Sequence, residues 1–471
     1  MTKHIKNICC IGAGYVGGPT MAVIADRCHN ISVNVVDINK DRINRWNNPD
    51  VSQIPIYEPG LSDIVLRRRG KNLHFSTSLK ENIAKADMIF ISVNTPTKTK
   101  GIGAGKASDL KWVESSARQI SKFAKGFTIV VEKSTLPVKT AQVIKEILES
   151  SKKENHNSFS VLSNPEFLAE GTAINDLENP DRVLIGGDDQ QSIEQLSNVY
   201  LNWIKKEKII TTNLWSSELS KLISNAFLAQ RISSINSVSA LCETTGADIK
   251  EVSEAIRTDK RIGKYFLNPG PGFGGSCFKK DISNLVYICD YYGLKEVSAY
   301  WQKVLDINNW QSERILNIIV KNLFGTLSGK KISILGFAFK ANTNDTRESP
   351  AIKICKGLIE EGALLKIYDP KVEEFQIEKD LGQPQLIKND NNSGWNFSKS
   401  LLDSTKSADA IVILTEWLEF EQIDWEEVAP MMRKPSFIFD TRGISNINDA
   451  EKYGIKCWRI GSNLNNKYYD K

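Results

Sequence analysis

The amino-acid sequence predicts an α/β protein with two doubly wound parallel-sheet domains joined by a central long-helix region. Short apolar strands alternate with helical segments up to about residue 212, and the same alternation restarts at Lys330. Strands that alternate with helices are typical of a parallel sheet covered by helices on both faces. Between the two blocks, apolar residues recur at helical spacing without a convincing strand. We therefore place three domains at residues 1–212, 213–325 and 326–471.

The first block contains most of the predicted strands. It opens with a strand, a glycine-rich turn and an apolar helix at Thr20–Ala25. The expected strands of this block are residues 7–11, 32–36, 88–93, 128–132, 160–163 and 182–186.

The glycine turn predicts a dinucleotide site. Gly12, Gly14 and Gly17 follow a strand and open a helix, and Asp37 lies 20 residues after Gly17, at the end of the next strand. The first glycine allows the tight turn, the second lets pyrophosphate approach the backbone, and the third lets the helix pack on the strand. A carboxylate at position 37 binds ribose hydroxyls and repels a 2′-phosphate, which favours NAD over NADP, although Arg42 could accept a phosphate. We assign NAD to this turn, including Tyr15 and Val16; a glycine turn without a cofactor is the alternative.

The other two blocks are simpler. Residues 217–246 predict one long helix, with more helices up to about residue 323. The last block has expected strands from Lys330 and at 363–368, 410–414 and 436–439, but its first turn lacks the glycine triplet, so we assign it no dinucleotide. The polar stretch 388–400 predicts a surface loop.

Composition and charge exclude several classes of protein. The 471 residues are 41% hydrophobic and 25% charged with a net charge of +5, which does not suggest nucleic-acid binding. No apolar run reaches about 18 residues, and glycines interrupt the N-terminal segment, so we expect neither a transmembrane helix nor a signal peptide. We therefore expect a cytosolic protein. The eight cysteines form no CxxC pair and the four histidines are scattered, so we expect no metal site.

One cysteine stands in an unusual loop. Cys277 lies in GFGGSCFKKD, after three glycines and four residues before Asp281. A helix that begins at Phe278 would place the thiol at its N-terminus, where the helix dipole favours thiolate, and Asp281 one turn further on the same face. Taken alone, the cysteine is more often a small packing residue than a nucleophile.

Polar residues elsewhere could accompany this thiol. Lys221 and Asn225 have the same i, i+4 spacing on the long helix, and Glu166 and Glu170 follow the strand at 160–163. Ligands bind at the carboxyl ends of strands in such sheets. Each residue also has an ordinary structural role, as a solvated helix residue or a helix cap, and spacing alone cannot bring the segments together.

Long ordered motifs extend over nearly the whole chain. They are ICCIGAGYVGGPT, VNTPTKTKGIGAGKASDL, STLPVKT, SNPEFLAEGTAI, NPDRVLIGG, GFGGSCFKKD and GFAFKANTNDTRESP. In these motifs the chain resembles the UDP-glucose dehydrogenases of the UDP-glucose/GDP-mannose dehydrogenase family. The resemblance implies a Rossmann-like NAD domain, a central helical dimerisation region and a Rossmann-like UDP-sugar domain.

The resemblance implies a four-electron oxidation, in which UDP-glucose, two NAD and water give UDP-glucuronate and two NADH. Cys277 would be the nucleophile that converts the intermediate aldehyde to a thiohemiacetal and then a thioester. Asp281 and Thr135 would position water for proton transfer. Lys221 and Asn225 would stabilise oxyanions at C6, and Glu166 would assist hydrolysis of the thioester.

The resemblance also assigns binding residues. On the cofactor side it adds Arg42, Val93, Thr95, Thr97, Ser134, Thr135, Glu170, Cys277, Lys280 and Arg347. On the side of the nucleotide sugar it places Glu166, Phe167, Leu168, Ala169, Glu170, Lys221, Asn225, Phe266, Leu267, Asn268, Gly272, Phe273, Gly274, Phe339, Lys340 and Arg442. Arg261 would reach the site of a neighbouring subunit, and these cations suit a diphosphate.

The resemblance leaves the assembly and the sugar open. The stretch FLNPGPGFGGSC is closer to bacterial members, which are often dimers, whereas other motifs are of the longer, animal-like, hexameric type. We expect a homo-oligomer, a dimer through the central helix and preferably a hexamer. The alternatives are action on UDP-N-acetylmannosamine or GDP-mannose, a two-electron alcohol dehydrogenase, and a regulator that binds nucleotide sugar without catalysis.

Overall fold

The computed structural model describes residues 4–134, 137, 139–150, 157–386 and 393–462. The chain divides into two compact units, one of residues 1–224 with Ser283–Gly293 and one of Asn225–Ile282 with residues 294–471. The predicted division into three domains stays a prediction.

The first unit is built on an eight-stranded sheet. Its strands are β1 Asn7–Ile11, β2 Ser32–Val36, β3 Leu73–Ser76, β4 Met88–Ile91, β5 Phe127–Glu132, β6 Ser158–Ser163, β7 Val183–Gly187 and β8 Ile209–Thr212. Their spatial order is β3-β2-β1-β4-β5-β6-β7-β8, and every pairing is parallel apart from β6 with β7. The strand order reverses between β1 and β4, where the carboxyl ends of strands open a crevice suited to a ligand.

Helices cover both faces of this sheet. They are α1 Gly17–Arg27, α2 Lys40–Trp46, α3 Leu61–Arg68, α4 Leu79–Lys85, α5 Lys111–Phe123, α6 Thr140–Ser150, α7 Ala173–Glu178 and α8 Gln190–Tyr200. Side chains cap the N-termini of two of them. Asn39 accepts a hydrogen bond from the Arg42 N–H at α2, and Asp189 accepts one from the Ser192 N–H at α8.

Successive residues of the central strands point into two different cores. Ile8 and Phe90 belong to the hydrophobic cluster on one face, and Cys9 and Ile89 to the cluster on the other. The sequences of such strands are continuous apolar runs because helices cover both faces of the sheet. Each fully buried Ile or Phe side chain contributes about 1.5–3 kcal/mol to folding.

The second unit holds a six-stranded sheet in which all pairings are parallel. Its strands are β9 Lys331–Leu335, β10 Leu364–Tyr368, β11 Gly394–Phe397, β12 Ala410–Ile413, β13 Ser436–Asp440 and β14 Ile455–Arg459, in the order β11-β10-β9-β12-β13-β14. The helices that accompany them are α13 Pro350–Glu360, α14 Glu374–Leu381, α15 Leu401–Thr405, α16 Leu418–Glu421, α17 Trp425–Met431 and α18 Ile447–Lys452.

The central region is helical, as predicted. It contains α9 Leu214–Thr245, α10 Ile249–Arg257, α11 Phe278–Tyr291 and α12 Lys295–Asn322. Within the second unit, the end of α9 is fixed to α12 by an ion pair of 2.8 Å between Glu243 and Arg314, and the Ser233 hydroxyl donates to the Val304 carbonyl at 2.8 Å. In the described part of the chain, no helix combines the length and apolar character needed to cross a bilayer.

The predicted fold class is confirmed, with two differences in detail. The bounds predicted for β1 and β2 match the structure, whereas β3, β8 and β14 were not predicted. The prediction of a surface loop at 388–400 is wrong over its described part, because Gly394–Phe397 is a strand paired with β10. Trp395 is fully buried there, so burial of the indole and pairing with β10 outweigh the polar character of the segment.

Candidate active site and cofactor site

The glycine turn after β1 is shaped by contacts with the protein itself. Gly12 has a φ of 109°, and a Cβ built on it would lie 2.1 Å from the Ser92 carbonyl oxygen. A Cβ on Gly17 would lie 2.1 Å from the Gly12 carbonyl oxygen, which shows the close packing of α1 on the strands. The first and third glycines are therefore required by the fold.

Gly14 differs from its two partners. Apart from its chain neighbours, a Cβ built on Gly14 would meet no described atom within 4 Å. Helix α1 begins nearby at Gly17, and its N-cap residue is Val16, whose apolar side chain cannot occupy the first-turn N–H groups. Open space beside a helix N-terminus suits a pyrophosphate, so these residues fit NAD.

Asp37 lies at the end of β2, as predicted. Its carboxylate accepts the Ala13 N–H at 2.9 Å and the Asn39 N–H at 2.9 Å, and pairs with the Arg42 guanidinium at 3.0 Å. The acid thus ties the glycine turn to the next strand. Arg42 neutralises this carboxylate, so the cation that could have favoured a 2′-phosphate is already engaged.

A buried charge pair lies at the carboxyl ends of β5 and β6. Lys133 is 3% exposed, and its ammonium lies 2.8 Å from Oε2 of Glu166. The same ammonium donates to Oδ1 of Asn164 at 3.1 Å and to the Tyr200 hydroxyl at 3.4 Å. Asn164 donates in turn to the Leu184 carbonyl at 2.8 Å, which fixes its amide orientation. Burial alone would lower the pKa of Lys133, but Glu166 and Tyr200 raise it above its ordinary value.

Glu166 is held by donors on both carboxylate oxygens. Oε1 accepts the N–H groups of Phe167 at 2.8 Å and Leu168 at 3.0 Å, and Oε2 receives Lys133 and, at 3.5 Å, the Thr20 hydroxyl. Burial alone would raise the pKa of Glu166, but the Lys133 ammonium and the Leu168 N–H hold it below its ordinary value. Glu166 is therefore a fixed carboxylate.

Two further predicted residues belong to the same region of the first unit. The Lys221 ammonium lies 5.2 Å from the centre of the Phe167 ring, on whose face the Arg182 guanidinium lies at 4.0 Å. The charge of Lys221 also lowers the pKa of Glu166. The structure thus brings together Glu166, Phe167 and Lys221, and Leu168 and Ala169 follow Phe167 in the loop after β6.

A pair of buried acids, Glu132 and Glu218, lies in the first unit near the expected cofactor residue Ser134. Glu132 is 2% exposed and hydrogen-bonded to Glu218, which accepts the N–H groups of Lys139 and Ala141, both at 2.7 Å, at the start of α6. Burial raises the pKa of both carboxyl groups. The Ser134 hydroxyl donates to the Val93 carbonyl at 2.7 Å. Thr135 lies outside the described residues.

Cys277 occupies the position predicted for it. All eight cysteines are described, and Cys277 alone is exposed. Helix α11 begins at Phe278, and the Asp281 N–H donates to the Cys277 carbonyl at 2.8 Å. The thiol therefore stands at the first turn of a helix, with the Ser276 hydroxyl 3.5 Å from its sulfur.

Asp281 and Asn225 form a buried pair in the second unit. Asp281 is 2% exposed, accepts Nδ2 of Asn225 at 2.6 Å and lies 3.4 Å from the Lys280 ammonium. The amide and the ammonium therefore hold this carboxylate one turn along α11 from the thiol.

The glycines of the cysteine loop press against protein atoms. A Cβ on Gly274 would lie 2.7 Å from the Glu348 carbonyl oxygen and 2.8 Å from Cβ of Phe339. Gly275 has a φ of 85° and faces the Phe339 ring, and its N–H donates to the Arg347 carbonyl at 2.8 Å. Close packing of the loop on the segment after β9 thus explains these two glycines.

Cations predicted for the nucleotide sugar lie in the second unit. Arg442 donates to the carbonyls of Leu414 at 2.8 Å and Phe339 at 3.0 Å, and pairs with Glu416 at 3.1 Å. The Lys340 ammonium lies 5.7 Å from the Phe339 ring centre. The remaining predicted residues of this unit are Arg261, which is 89% exposed at its side chain, Phe266, Leu267, Asn268, Gly272, Phe273 and Arg347.

Sequence reasoning missed Lys133, Glu132 and their partners Asn164, Tyr200 and Glu218. A usable signal was present, because Glu132 and Lys133 directly follow the apolar run of β5, where charged residues face the ligand edge of a parallel sheet. Among the described residues, no group of three or more His, Cys, Asp or Glu side chains could hold a metal ion.

Three stretches of the chain match the domains of one enzyme family. Residues 6–204 match the NAD binding domain of the UDP-glucose/GDP-mannose dehydrogenase family, residues 215–310 its central domain and residues 333–447 its UDP binding domain. The chain belongs to the UDP-glucose/GDP-mannose dehydrogenase family. It is an oxidoreductase of this family, with its NAD-binding domain in the first unit.

Members of this family are similar to the chain over almost its whole length. UDP-glucose 6-dehydrogenase 4 of Arabidopsis thaliana is 54% identical over 97% of both chains, and the UDP-glucose 6-dehydrogenase of Bos taurus is 54% identical over 98% of this chain and 94% of its own. A solved UDP-glucose dehydrogenase from Pyrobaculum islandicum has a TM-score of 0.83 at 29% identity, covering 98% of both chains. A UDP-D-ManNAc dehydrogenase from Pyrococcus horikoshii reaches 0.81 at 25%, covering 97% of this chain and 100% of its own.

Proposed function

We propose that this protein is a UDP-glucose 6-dehydrogenase, which oxidises UDP-glucose twice at C6. The balanced reaction is UDP-glucose, two NAD⁺ and one water giving UDP-glucuronate, two NADH and three protons when the new carboxyl group is ionised. The observation that carries the proposal is the only exposed thiol, Cys277, at the first turn of α11. Bound NAD supplies the hydride acceptor for each oxidation.

The thiol explains how one carbon is oxidised twice. Loss of a hydride and a proton from the alcohol leaves an aldehyde, whose trigonal carbon does not readily release a second hydride. The Cys277 thiolate adds to that carbon, and the oxyanion takes up a proton to give a tetrahedral thiohemiacetal. Loss of a second hydride and the hydroxyl proton leaves a thioester on Cys277. Water adds to the thioester carbon, the carbon–sulfur bond breaks, and the electron pair returns to sulfur as the thiolate. The two protons of the water pass to solvent, which leaves the carboxylate.

The polar residues have distinct roles in this scheme. Asp281 and Thr135 position the water that transfers protons, and the 2.6 Å bond from Asn225 to Asp281 supports a fixed position for that carboxylate. Lys221 and Asn225 stabilise the oxyanions that form at C6, an electrostatic role. Glu166 assists hydrolysis of the thioester.

The cofactor and the nucleotide sugar use largely different sets of residues, with Glu170 assigned to both. The glycine turn, Asp37, Val93, Thr95, Thr97 and Ser134 hold NAD, with Glu170, Lys280 and Arg347. The nucleotide sugar is held by residues 166–170 and 266–274, with Lys221, Asn225, Phe339, Lys340 and Arg442. The diphosphate suits the cations Lys340 and Arg442.

The stoichiometry of the reaction tests the proposal. Limiting UDP-glucose with excess NAD should yield two NADH per sugar, measured by absorbance, and UDP-glucuronate, identified by mass spectrometry. One NADH per sugar would indicate a two-electron alcohol dehydrogenase. UDP-N-acetylmannosamine and GDP-mannose in parallel assays should turn over far more slowly, and a reversed preference would reject UDP-glucose as the substrate.

Substitution of the thiol tests the covalent step. Cys277→Ser should still bind NAD but fail to turn over, because an ester on the serine either does not form or is not hydrolysed. NADH formation and intact-mass spectrometry measure the two outcomes. Cys289→Ala, which removes a buried thiol from the same helix, should retain two NADH per sugar. Full activity of Cys277→Ser would refute the thiol mechanism.

The assembly and location belong to the same proposal. We propose a homo-oligomer, a dimer through the central helix and preferably a hexamer, in which Arg261 reaches the site of a neighbouring subunit. Light scattering measures the mass of the assembly for wild type and for Arg261→Ala. An unchanged mass with reduced activity would show that Arg261 serves the site and not the assembly. A cytosolic location agrees with the mechanism, since the reducing cytosol preserves a free thiol.

A further inference from the structure

The charge on Glu166 has an unusual origin within the first unit. A carboxylate with little solvent is normally driven towards its neutral form, because burial penalises charge. Here the carboxylate has a fully buried cation at 2.8 Å and two backbone N–H groups on its other oxygen. Lys133 contributes no surface charge, since its side chain is 3% exposed.

Lys133 itself is held in one orientation. Its ammonium has three partners: the carboxylate of Glu166, Oδ1 of Asn164 at 3.1 Å and the hydroxyl of Tyr200 at 3.4 Å. Tyr200 donates to the same Asn164 oxygen at 2.6 Å. These three acceptors match the three protons of an ammonium, so the site is built for the charged form of lysine.

We propose that Lys133 is a positioning residue that keeps Glu166 a fixed carboxylate during hydrolysis of the Cys277 thioester. This inference rests on the proposed function, in which Glu166 assists that step. Since donors already occupy both oxygens of Glu166, the carboxylate acts as a fixed negative charge that orients water. The proton that the water releases passes to solvent, and Glu166 does not take it up.

The groups around this pair determine its response to pH. Glu166 faces Lys133 and Tyr200, and Lys221 also acts on its charge. The charge of Lys133 also acts on the Cys10 thiol of β1, whose pKa is raised by burial. The pKa of Glu166 lies below its ordinary value and that of Lys133 above its own, so neither group titrates near neutral pH.

The pH profile of Lys133→Met tests this role. Methionine keeps most of the length of the lysine side chain but removes the charge, so burial should raise the pKa of Glu166. The kcat profile should then gain an acid limb above the ordinary glutamate range, with KM for UDP-glucose changed less than twofold. Thioester on Cys277, measured by intact-mass spectrometry of quenched enzyme, should accumulate at least fivefold. An unchanged profile and adduct level would overturn the proposal.

A comparison of Glu166→Gln with and without Lys133→Met keeps the test decisive if Lys133→Met alone folds poorly. In Glu166→Gln with Lys133→Met, both charges are absent, so no buried charge lacks a partner. If Lys133 acts through Glu166, the double variant should have the kcat of Glu166→Gln alone; an additional tenfold loss would overturn the proposal. Lys145→Met, in an exposed ion pair with Asp188 at 3.5 Å, is the matched control and should leave the profile unchanged.

The experiment separates this inference from the proposed function. If wild type releases two NADH per UDP-glucose but Lys133→Met shows neither an acid limb nor more thioester, only the role of Lys133 fails. If wild type forms no thioester at all, the proposed function fails first.

Discussion

Alanine at Gly14 and at Gly17 should separate the two uses of the glycine turn. A Cβ on Gly17 would lie 2.1 Å from the Gly12 carbonyl oxygen, whereas ordinary carbon–oxygen contacts are about 3.3 Å or longer. The backbone would have to move by about 1.2 Å, and overpacking of this kind costs about 1–3 kcal/mol or more. A Cβ on Gly14 meets no described atom within 4 Å apart from chain neighbours.

The two variants should therefore fail in different assays. A loss of about 3 kcal/mol lowers Tm by roughly 6–12 °C in a unit of this size, so a thermal scan without cofactor should detect Gly17→Ala. Gly14→Ala should change stability by less than about 0.5 kcal/mol. It should weaken NAD binding about tenfold, or about 1.4 kcal/mol, in a fluorescence titration, because its methyl group occupies the space assigned to pyrophosphate.

Two outcomes would contradict these expectations. If Gly14→Ala lowers Tm as much as Gly17→Ala, the space at Gly14 is not open. If Gly14→Ala binds NAD like wild type, the pyrophosphate does not approach this backbone.

Two other perturbations have equally definite outcomes. Asp37→Asn removes the charge that repels a 2′-phosphate and releases Arg42. The ratio of kcat/KM for NADP to kcat/KM for NAD should therefore rise at least about tenfold. Asp41→Asn, which changes an exposed acid nearby, should leave the ratio unchanged, and a change there would contradict the assignment. Glu132→Gln tests the buried acid pair with Glu218: because burial raises both pKa values, the pair's stabilisation is present below the ordinary carboxyl range and is lost as pH rises through the raised values. The Tm of Glu132→Gln relative to wild type should therefore increase from pH 5 to pH 8, and a constant difference would show that the pair does not titrate.

Much of the fold could be predicted from local pattern. The ends of β1 and β2 were predictable because Gly12 and Asp37 follow directly upon apolar runs. Strand β11 was not, because NSGWNFS has few apolar residues and only its pairing with β10 and the buried Trp395 make it a strand. Short segments such as β3 depend on tertiary pairing in the same way.

The candidate site, like the fold, could be predicted only where local sequence pattern determines the structure. The position of Cys277 at the start of α11 could be predicted from glycines and helical spacing. The engagement of Lys133 with Glu166 could not, since a lysine after a strand is usually solvated and the sequence contains no measure of burial. Gly274 and Gly275 could not be recognised as packing positions from the sequence either, because only the structure shows that a Cβ at either position would press against Phe339.

The contrast between Cys277 and the other seven cysteines makes the protein its own thiol reporter. Burial raises the pKa of Cys28 to about 11 and of Cys9 and Cys457 to about 12, so these thiols stay protonated and shielded while the chain is folded. A chromogenic disulfide reagent should therefore consume one equivalent per native chain and eight after denaturation. The rapid reaction of Cys277 counts the functional sites in any preparation. The slow reaction of the buried thiols reports how often the folded sheets open.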